Sequence, residues 1–143
     1  MGAPAVRIDA WLDTPPIPGC QLRTTRNGRT YKPKRQAGCQ RAIATLARAQ
    51  APREPIKVAC HLKAIFVFAV PQSWSASQKT RALSGRLLPT STRTGDLDNL
   101  AKLLLDGLED AGWLANDALV VELDARKLYG ERAGYMVSLR PIP

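Results

Sequence analysis

The stretch GDLDNLAKLLLDGLED, residues 95–110, decides the fold because it predicts an amphipathic helix with two chemically different faces. At about 100° per residue, one arc of this helix carries apolar or small residues, and we expect that arc to pack on a sheet. The arc consists of Leu100, Leu103, Leu104, Gly107, Leu108 and Ala111. The opposite arc carries Asp98, Lys102, Asp106 and Glu109.

The ends of this helix are also marked in the sequence. Asp96 or Asp98 is a good N-cap, because a short side-chain oxygen there can accept a hydrogen bond from an unpaired backbone N–H. Gly112 is a plausible C-terminal stop. The charged arc could be an ordinary solvent face with ion pairs between residues four apart.

A second interpretation of the charged arc is a metal site. Asp96 and Asp98 form an Asp-x-Asp pair, and like charges this close are costly unless a cation separates them. The pair Asn116-Asp117 adds a carboxylate just before a predicted strand. Oxygen donors without a useful His or Cys nearby suit Mg²⁺ or Mn²⁺ rather than zinc. In a basic protein this pattern is typical of a metal-dependent phosphodiesterase, in which Lys102 could hold the phosphate.

The charge of the chain is unevenly distributed. The net charge is +9, and between residues 20 and 95 there are fifteen Lys or Arg against one acid, Glu54. From residue 96 to 124 eight acids face one base, Lys102. A dense basic surface favours polyanions such as nucleic acid, although it is also compatible with a merely solvated surface. Basic charge alone does not separate DNA from RNA or an acidic protein.

Composition also limits the class of protein. The chain has no apolar run long enough for a membrane span and no secretory leader pattern at its start, so we expect a single domain over residues 1–143, soluble and cytoplasmic. Three cysteines, Cys20, Cys39 and Cys60, are too few and too widely spaced for a disulfide framework or a zinc site. We expect them to be reduced thiols.

The remaining segments predict strands and two further helices. Strands are predicted over residues 5–13, 56–70, 119–129 and 135–141, a helix near 35–50 and a shorter one within 75–85. The short helix would begin at Ser75 or Ser77. The last two strands are expected to form a hairpin, and Asn27-Gly28 predicts a tight turn in a basic loop. The polar segment 71–95 is either a functional flap or disordered.

The motif region GDLDNLAKLLLDGLEDAGWLANDALVVELDARKLYGE resembles the RusA family of Holliday junction resolvases, endonucleases common in bacteria and their prophages. The family pattern, D-L-D-N-L-x-K followed by a helix, a tryptophan turn and a strand ending in lysine, is met with its expected spacing. The resemblance implies an α/β (α+β) fold of two layers, in which a mixed sheet packs against two main helices. It also implies Asp96, Asp98 and Asp117 as the metal-binding catalytic carboxylates and Lys102 as the essential lysine.

The same resemblance assigns supporting roles to three residues. The sequence also departs from the family pattern at two positions. Asn99 would order the helix start, and Asp106 and Lys127 would have a supporting or phosphate-contacting role. Asn116 stands where many members have an aspartate, and Gly95 replaces the usual Pro or Arg. The family implies Mg²⁺, with Mn²⁺ as a substitute, and a homodimer that nicks four-way DNA junctions in recombination and repair. No nucleotide cofactor or membrane is implied, and the protein is expected to be bacterial or phage-encoded and to lie in the cytoplasm, associated with the nucleoid.

Basic residues in two loops are the candidate DNA contacts. They are Arg23, Arg26, Arg29, Tyr31, Lys32, Lys34, Arg35, Lys79, Arg81, Arg86 and Arg93. Contacts of this kind position the DNA backbone without reading sequence. Two alternatives stay open: a nuclease of the same fold that acts on other branched DNA, and a junction-binding protein that has lost cleavage.

Overall fold

The structure is a computed structural model that describes residues 7–17, 23–24, 30–31 and 34–143. Within these ranges the strands are β1 (Ile8–Leu12), β2 (Arg23–Thr24), β3 (Thr30–Tyr31), β4 (Cys60–Ala69), β5 (Val120–Gly130) and β6 (Gly134–Pro141). The helices are α1 (Lys34–Arg48), α2 (Ala76–Leu83) and α3 (Leu97–Asp110), and 3-10 turns cover Thr92–Thr94 and Asp117–Leu119. The predicted turn at Asn27-Gly28 lies outside the described residues.

Four strands form a mixed sheet in the order β1-β6-β4-β5. β4 and β5 are parallel, whereas β6 runs antiparallel to both β1 and β4. A parallel pair needs a long crossover connection, and here the crossover contains α2 and α3. The predicted α+β class with a mixed sheet is confirmed, and the whole carboxylate motif lies inside one crossover.

The hairpin predicted for the last two strands is wrong. β4 lies between β5 and β6, so Phe66 of β4 pairs with Lys127 on one side and with Tyr135 on the other. The short connection 131–133 passes over the end of β4 instead of joining neighbouring strands. Two strand spacings are about 9.5 Å, and three linking residues can span up to about 14 Å, so a short loop does not require adjacent pairing.

The helices cover one face of the sheet and bury the predicted apolar arc of α3. Every residue of that arc is buried, and the neighbouring Ala101 is buried as well. Leu104 and Leu108 join a core with Ile43 of α1 and with Leu62 and Phe66 of β4. The arc therefore fixes α3 against both the sheet and α1, which leaves its charged arc outward.

The C-terminal end of α3 closes as predicted at Gly112, whose φ is +83°. The Gly112 N–H donates to the Glu109 carbonyl at 3.0 Å, and the Trp113 N–H donates to the Leu108 carbonyl at 3.1 Å. This pair of hydrogen bonds defines a Schellman motif. The buried Trp113 indole then donates to the Ala47 carbonyl at 2.7 Å, which ties the end of α3 to α1.

The outer face of the sheet carries a mixture of apolar and charged side chains. Trp11, Met136 and Ile65 are directly opposed across β1, β6 and β4. Cys39 and Cys60 are buried free thiols, whereas Cys20 lies outside the described residues. No helix in the part of the chain that the structure describes is long and apolar enough to cross a membrane.

Candidate active site on helix α3

The first turn of α3 presents the two aspartates of the motif to solvent. Asp96 occupies the N-cap position with an extended backbone, and Asp98 lies in the first helical turn. Both residues are exposed. The Asp96 side chain makes no capping hydrogen bond, although that bond was predicted for Asp96 or Asp98. Both carboxylates lie at the positive end of the helix dipole, which stabilises negative charge.

Lys102 follows Asp98 by one turn on the same charged arc. Its Nζ lies 3.9 Å from Asp106 Oδ1, at the outer limit of an ion pair. The Lys102 side chain is 73% exposed, and an exposed pair of this kind adds little stability. The ammonium group is consequently reachable by an anion in solution.

Lys127 of β5 fixes the backbone just before Asp96. Its Nζ donates to the Gly95 carbonyl at 2.7 Å and to Thr94 Oγ1 at 3.1 Å. Thr94 is only 8% exposed, and its hydroxyl lies within hydrogen-bond distance of the Pro89 and Ser91 carbonyls. We call Lys127, Thr94 and Gly95 the lysine clamp. It joins β5 to the start of α3 across 32 residues of sequence.

Gly95 has backbone angles that explain its departure from the family pattern. Its φ is +81° and its ψ is 174°, a region that is essentially restricted to glycine. Proline is fixed near a φ of about −65° and could not adopt this conformation. The glycine therefore permits the turn that delivers the Gly95 carbonyl to Lys127.

Asn116 and Asp117 are held near the other end of α3. Asn116 Oδ1 accepts from the Ala118 N–H at 2.7 Å, so this side chain caps the 3-10 turn. The Asp117 N–H donates to Glu109 Oε1 at 3.1 Å, and Asp117 is half-buried. Asp and Asn are nearly equivalent as caps, so the substitution at 116 keeps this local structure.

The three predicted metal ligands come from two parts of the chain, the first turn of α3 and the turn that follows its last residue. Asp98 and Glu109 are about three turns apart, roughly 16 Å along the axis at 1.5 Å per residue, and Asp117 is bonded to Glu109. Among the described residues, no group of three or more His, Cys, Asp or Glu side chains is arranged to hold a metal ion. Asp96 and Asp98 lie at the start of α3, whereas the backbone N–H of Asp117 donates to Glu109 in the last turns of α3.

The basic residues predicted to contact DNA fall on several elements. Lys79 and Arg81 lie on α2, which begins at Ser75 with a capping box to Gln78, as one of the two predicted starts. Arg81, Arg86 and Arg93 are exposed and Lys79 is partly buried. Arg23 pairs with Tyr31 between β2 and β3, and Lys34 and Arg35 begin α1. Arg26, Arg29 and Lys32 lie outside the described residues.

Two residues near the site were not identified from the sequence. Thr94 was missed because a threonine in a Ser- and Thr-rich loop has no pattern that marks it as buried. Glu109 was placed on the charged arc, but its partner at position 117 follows from the tertiary turn after α3. Asn99, predicted to order the helix start, lies half-buried in the first turn of α3.

Taken with the net charge of +9, a helix start with two exposed carboxylates and a lysine one turn further on suits a small α+β phosphodiesterase. The family model for endodeoxyribonuclease RusA matches residues 13–140, and the chain belongs to this family. No curated protein matches the sequence of the chain. The resemblance seen in the motif is confirmed, and the chain is a crossover junction endodeoxyribonuclease, a hydrolase acting on branched DNA.

Proposed function

We propose that the chain is a Mg²⁺-dependent Holliday junction resolvase that binds a four-way junction as a homodimer and makes paired, symmetric nicks. The observation that carries this proposal is the start of α3, where Asp96 and Asp98 face solvent and Lys127 fixes the preceding carbonyl. A four-way junction has approximate twofold symmetry, so two opposed cuts suit two sites related by a twofold axis. We also propose that residues 1–143 form one domain, since its core draws on residues from Ile8 to Leu139.

Asp96 and Asp98 suit a hard divalent cation by the chemistry of their donors. Carboxylate oxygens are the ligands that Mg²⁺ and Mn²⁺ prefer, and the Asp96 carboxylate is not used as a helix cap. A cation bound there would neutralise the scissile phosphate and activate a water molecule. Asp117 stays in the proposal as a third ligand because it matches the family pattern. Because the Asp117 backbone is bonded to Glu109 and not to the helix start, its contribution to metal binding is tested by a variant of its own, Asp117→Asn.

The other residues of the motif act on phosphate or on position. Lys102 would hold the scissile phosphate or the charge that develops on it, because its ammonium group is exposed on the charged arc one helical turn after Asp98. Asp106 would keep Lys102 on this side of the helix. Lys127 would support the site and not bind phosphate, since its Nζ already donates to Thr94 and Gly95. Cleavage would leave 5′-phosphate and 3′-hydroxyl ends.

The exposed bases of the loops would hold the arms of the junction. Arg81, Arg86 and Arg93 are exposed and lie in the segment that precedes the α3 motif in the sequence. Contacts to phosphate release counterions, so binding should weaken steeply as salt rises. We propose the same role for the bases at positions 23–35.

Cleavage of a labelled four-way junction tests this function directly. The wild type is compared with Asp98→Asn in Mg²⁺ and in Mn²⁺, and binding is measured in Ca²⁺ alongside. Paired nicks that disappear in the variant while binding persists would support the resolvase. Leu83→Ser, an exposed change on α2, serves as a surface control that should leave cleavage unchanged.

Two outcomes would replace the proposal. Equal or faster cutting of flaps, forks or duplex would indicate a nuclease for other branched DNA. Tight junction binding without any product would indicate a junction-binding protein. The only sequence feature that favoured loss of cleavage was Asn116, and its side chain caps a turn in this structure.

A further inference from the structure

A cleft of about 680 Å³ opens beside the lysine clamp. Its walls come from the ends of β4 and β5, the segment before α2, the loop before α3, the two prolines after β1 and the connection between β5 and β6. The residues of its lining that matter here are Phe68, Trp74, Arg93, Thr94 and Tyr129. Thr94 belongs to both the cleft and the lysine clamp, so the cleft adjoins the proposed catalytic residues.

The aromatic wall of the cleft is built for a flat ring. Trp74 and Tyr129 meet edge to face, with ring centroids 5.1 Å apart and planes at 69°. An edge-to-face pair leaves ring faces that the partner ring does not cover, and both residues are only partly buried. Phe68 adds a third aromatic side chain to the lining. Nucleobases stack on aromatic side chains of this kind.

The polar part of the cleft suits the remainder of a nucleotide. Arg93 is exposed, and Ser91 lies two residues before it on the same loop, so both residues add polar groups to a lining that is mostly apolar. Arginine can stack on a base or bind phosphate. Burial raises the pKa of the Tyr129 phenol, so this wall stays uncharged in alkaline buffers and does not repel the DNA backbone.

The distance to the catalytic residues fits one nucleotide. Thr94 and Asp96 are two residues apart, and their Cα atoms can be separated by no more than about 7 Å. A phosphate held at Asp96 would therefore have its own base, or that of its neighbour, within reach of the cleft. Bases at a branch point are the easiest to unstack, because they lack a continuous helix on one side.

We infer that this cleft receives an unstacked nucleobase of the branched DNA, from a nucleotide adjoining the phosphate that is cut. The inference rests on the proposed function, since it places the base beside the proposed catalytic aspartates. It gives the enzyme a means of preferring certain bases at the cleavage site, which the phosphate contacts of the basic loops cannot provide.

A cycle of protein and DNA changes tests the inference. Junction affinity is measured in Ca²⁺ for the wild type and Trp74→Ala, with intact junctions and with junctions carrying one abasic site at each position flanking the branch point. Stacking of one base supplies about 5- to 140-fold in affinity, so each single change should cost that much at one position. The two changes together should cost no more than either alone, because both remove the same contact.

Two further variants control the cycle. Trp74→Phe keeps an aromatic ring and should retain most of the wild-type affinity and its sensitivity to the abasic site. Trp11→Ala removes an exposed tryptophan from the outer face of the sheet, away from the cleft, and should bind like the wild type. Melting temperatures are recorded for all variants so that unfolded protein is not scored as weak binding.

The possible outcomes distinguish failure of the inference about the cleft from failure of the proposed function. If the wild type cuts junctions but the losses from Trp74→Ala and the abasic site multiply at every position, the cleft does not hold a base and this inference alone fails. If Trp74→Ala instead turns a dimer into a monomer in sedimentation, the cleft holds a second copy and the inference is also overturned. If the wild type neither binds nor cuts a junction, the proposed function fails together with it.

Discussion

The two ends of α3 show opposite uses of the same helix. At the C-terminal end, Gly112 and Trp113 satisfy the last carbonyls, and the Trp113 indole is bonded to Ala47. At the N-terminal end, Asp96 occupies the cap position but makes no capping bond, and Lys127 holds the backbone there instead. An aspartate cap adds typically about 1 kcal/mol of stability. One end of α3 is therefore closed for stability, and the other leaves its carboxylates available.

The largest expected effect comes from removing a carboxylate at the open end. Asp98→Asn should lower the rate of junction cleavage by about 100- to 1000-fold, because it removes a ligand of the proposed cation, whose charge would stabilise the transition state. The free energy of unfolding should fall by less than about 1 kcal/mol, because the interaction of one exposed acid with the helix dipole stabilises the folded state by no more than that. Single-turnover cleavage and urea unfolding measure the two quantities. A large loss of stability with normal cleavage would mean that the N-terminal end of α3 serves stability and not catalysis.

The second-largest effect on cleavage is expected when the lysine clamp is broken. Lys127→Met should slow cleavage by about 10- to 100-fold, as expected when a group that orients a metal ligand is lost. The metal concentration for half-maximal rate should rise, while junction affinity in Ca²⁺ stays within about threefold of wild type, since Lys127 is a positioning residue. Lys127→Arg, which keeps donors in reach of Gly95, should recover part of the rate. Equal losses in affinity and rate would instead place Lys127 on the phosphate.

Two glycines at opposite ends of α3 offer a matched pair. Gly95 and Gly112 have φ values of +81° and +83°, so an alanine is strained at either position. Gly112→Ala should lower the free energy of unfolding by about 1 kcal/mol and leave the cleavage rate of the folded protein unchanged. Gly95→Ala should cost about 1–3 kcal/mol and also slow cleavage, because it moves the carbonyl that Lys127 binds. Similar kinetics for both variants would contradict the division between the two ends.

The smallest effect is expected at Asn116. Asn116→Asp restores the residue common in the family, but the cap on Ala118 is equally good with either side chain. Cleavage should change by less than about threefold, whereas Asp117→Asn in parallel should slow it at least about tenfold if Asp117 is a metal ligand. Cleavage rates over a range of Mg²⁺ concentrations measure both. A strong gain from Asn116→Asp would mean that a second carboxylate is needed there.

The parts of the fold predicted from sequence depend on local chemistry. The buried arc of α3, the stop at Gly112 and the start of α2 at Ser75 all follow from helix geometry and capping, which residues a few positions apart determine. The failed hairpin depends on which strand pairs with which, and a three-residue connection is compatible with both arrangements.

The features of the candidate site also divide into those that local sequence determines and those that depend on the tertiary fold. Asp96, Asp98 and Lys102 form one motif on one helix, so their proximity could be predicted. The contacts of Lys127 with Thr94 and Gly95 join β5 to the loop before α3, and that meeting depends on the order of strands in the sheet. The position of Asp117 near Glu109 likewise depends on how the chain turns after α3.

The parallel pairing of β4 with β5 has a consequence for folding. To pair β4 with β5, the two ends of the long crossover between them must be brought together. The entropy lost in closing this loop makes such pairing slow compared with helix formation. The crossover contains both aspartates, whereas Lys127 lies in the strand that closes it. A partly folded chain would thus have α3 with its carboxylates but no clamp to orient them. The proposed catalytic geometry would therefore require the pairing of β4 with β5, and nuclease activity would appear only once these two strands have paired.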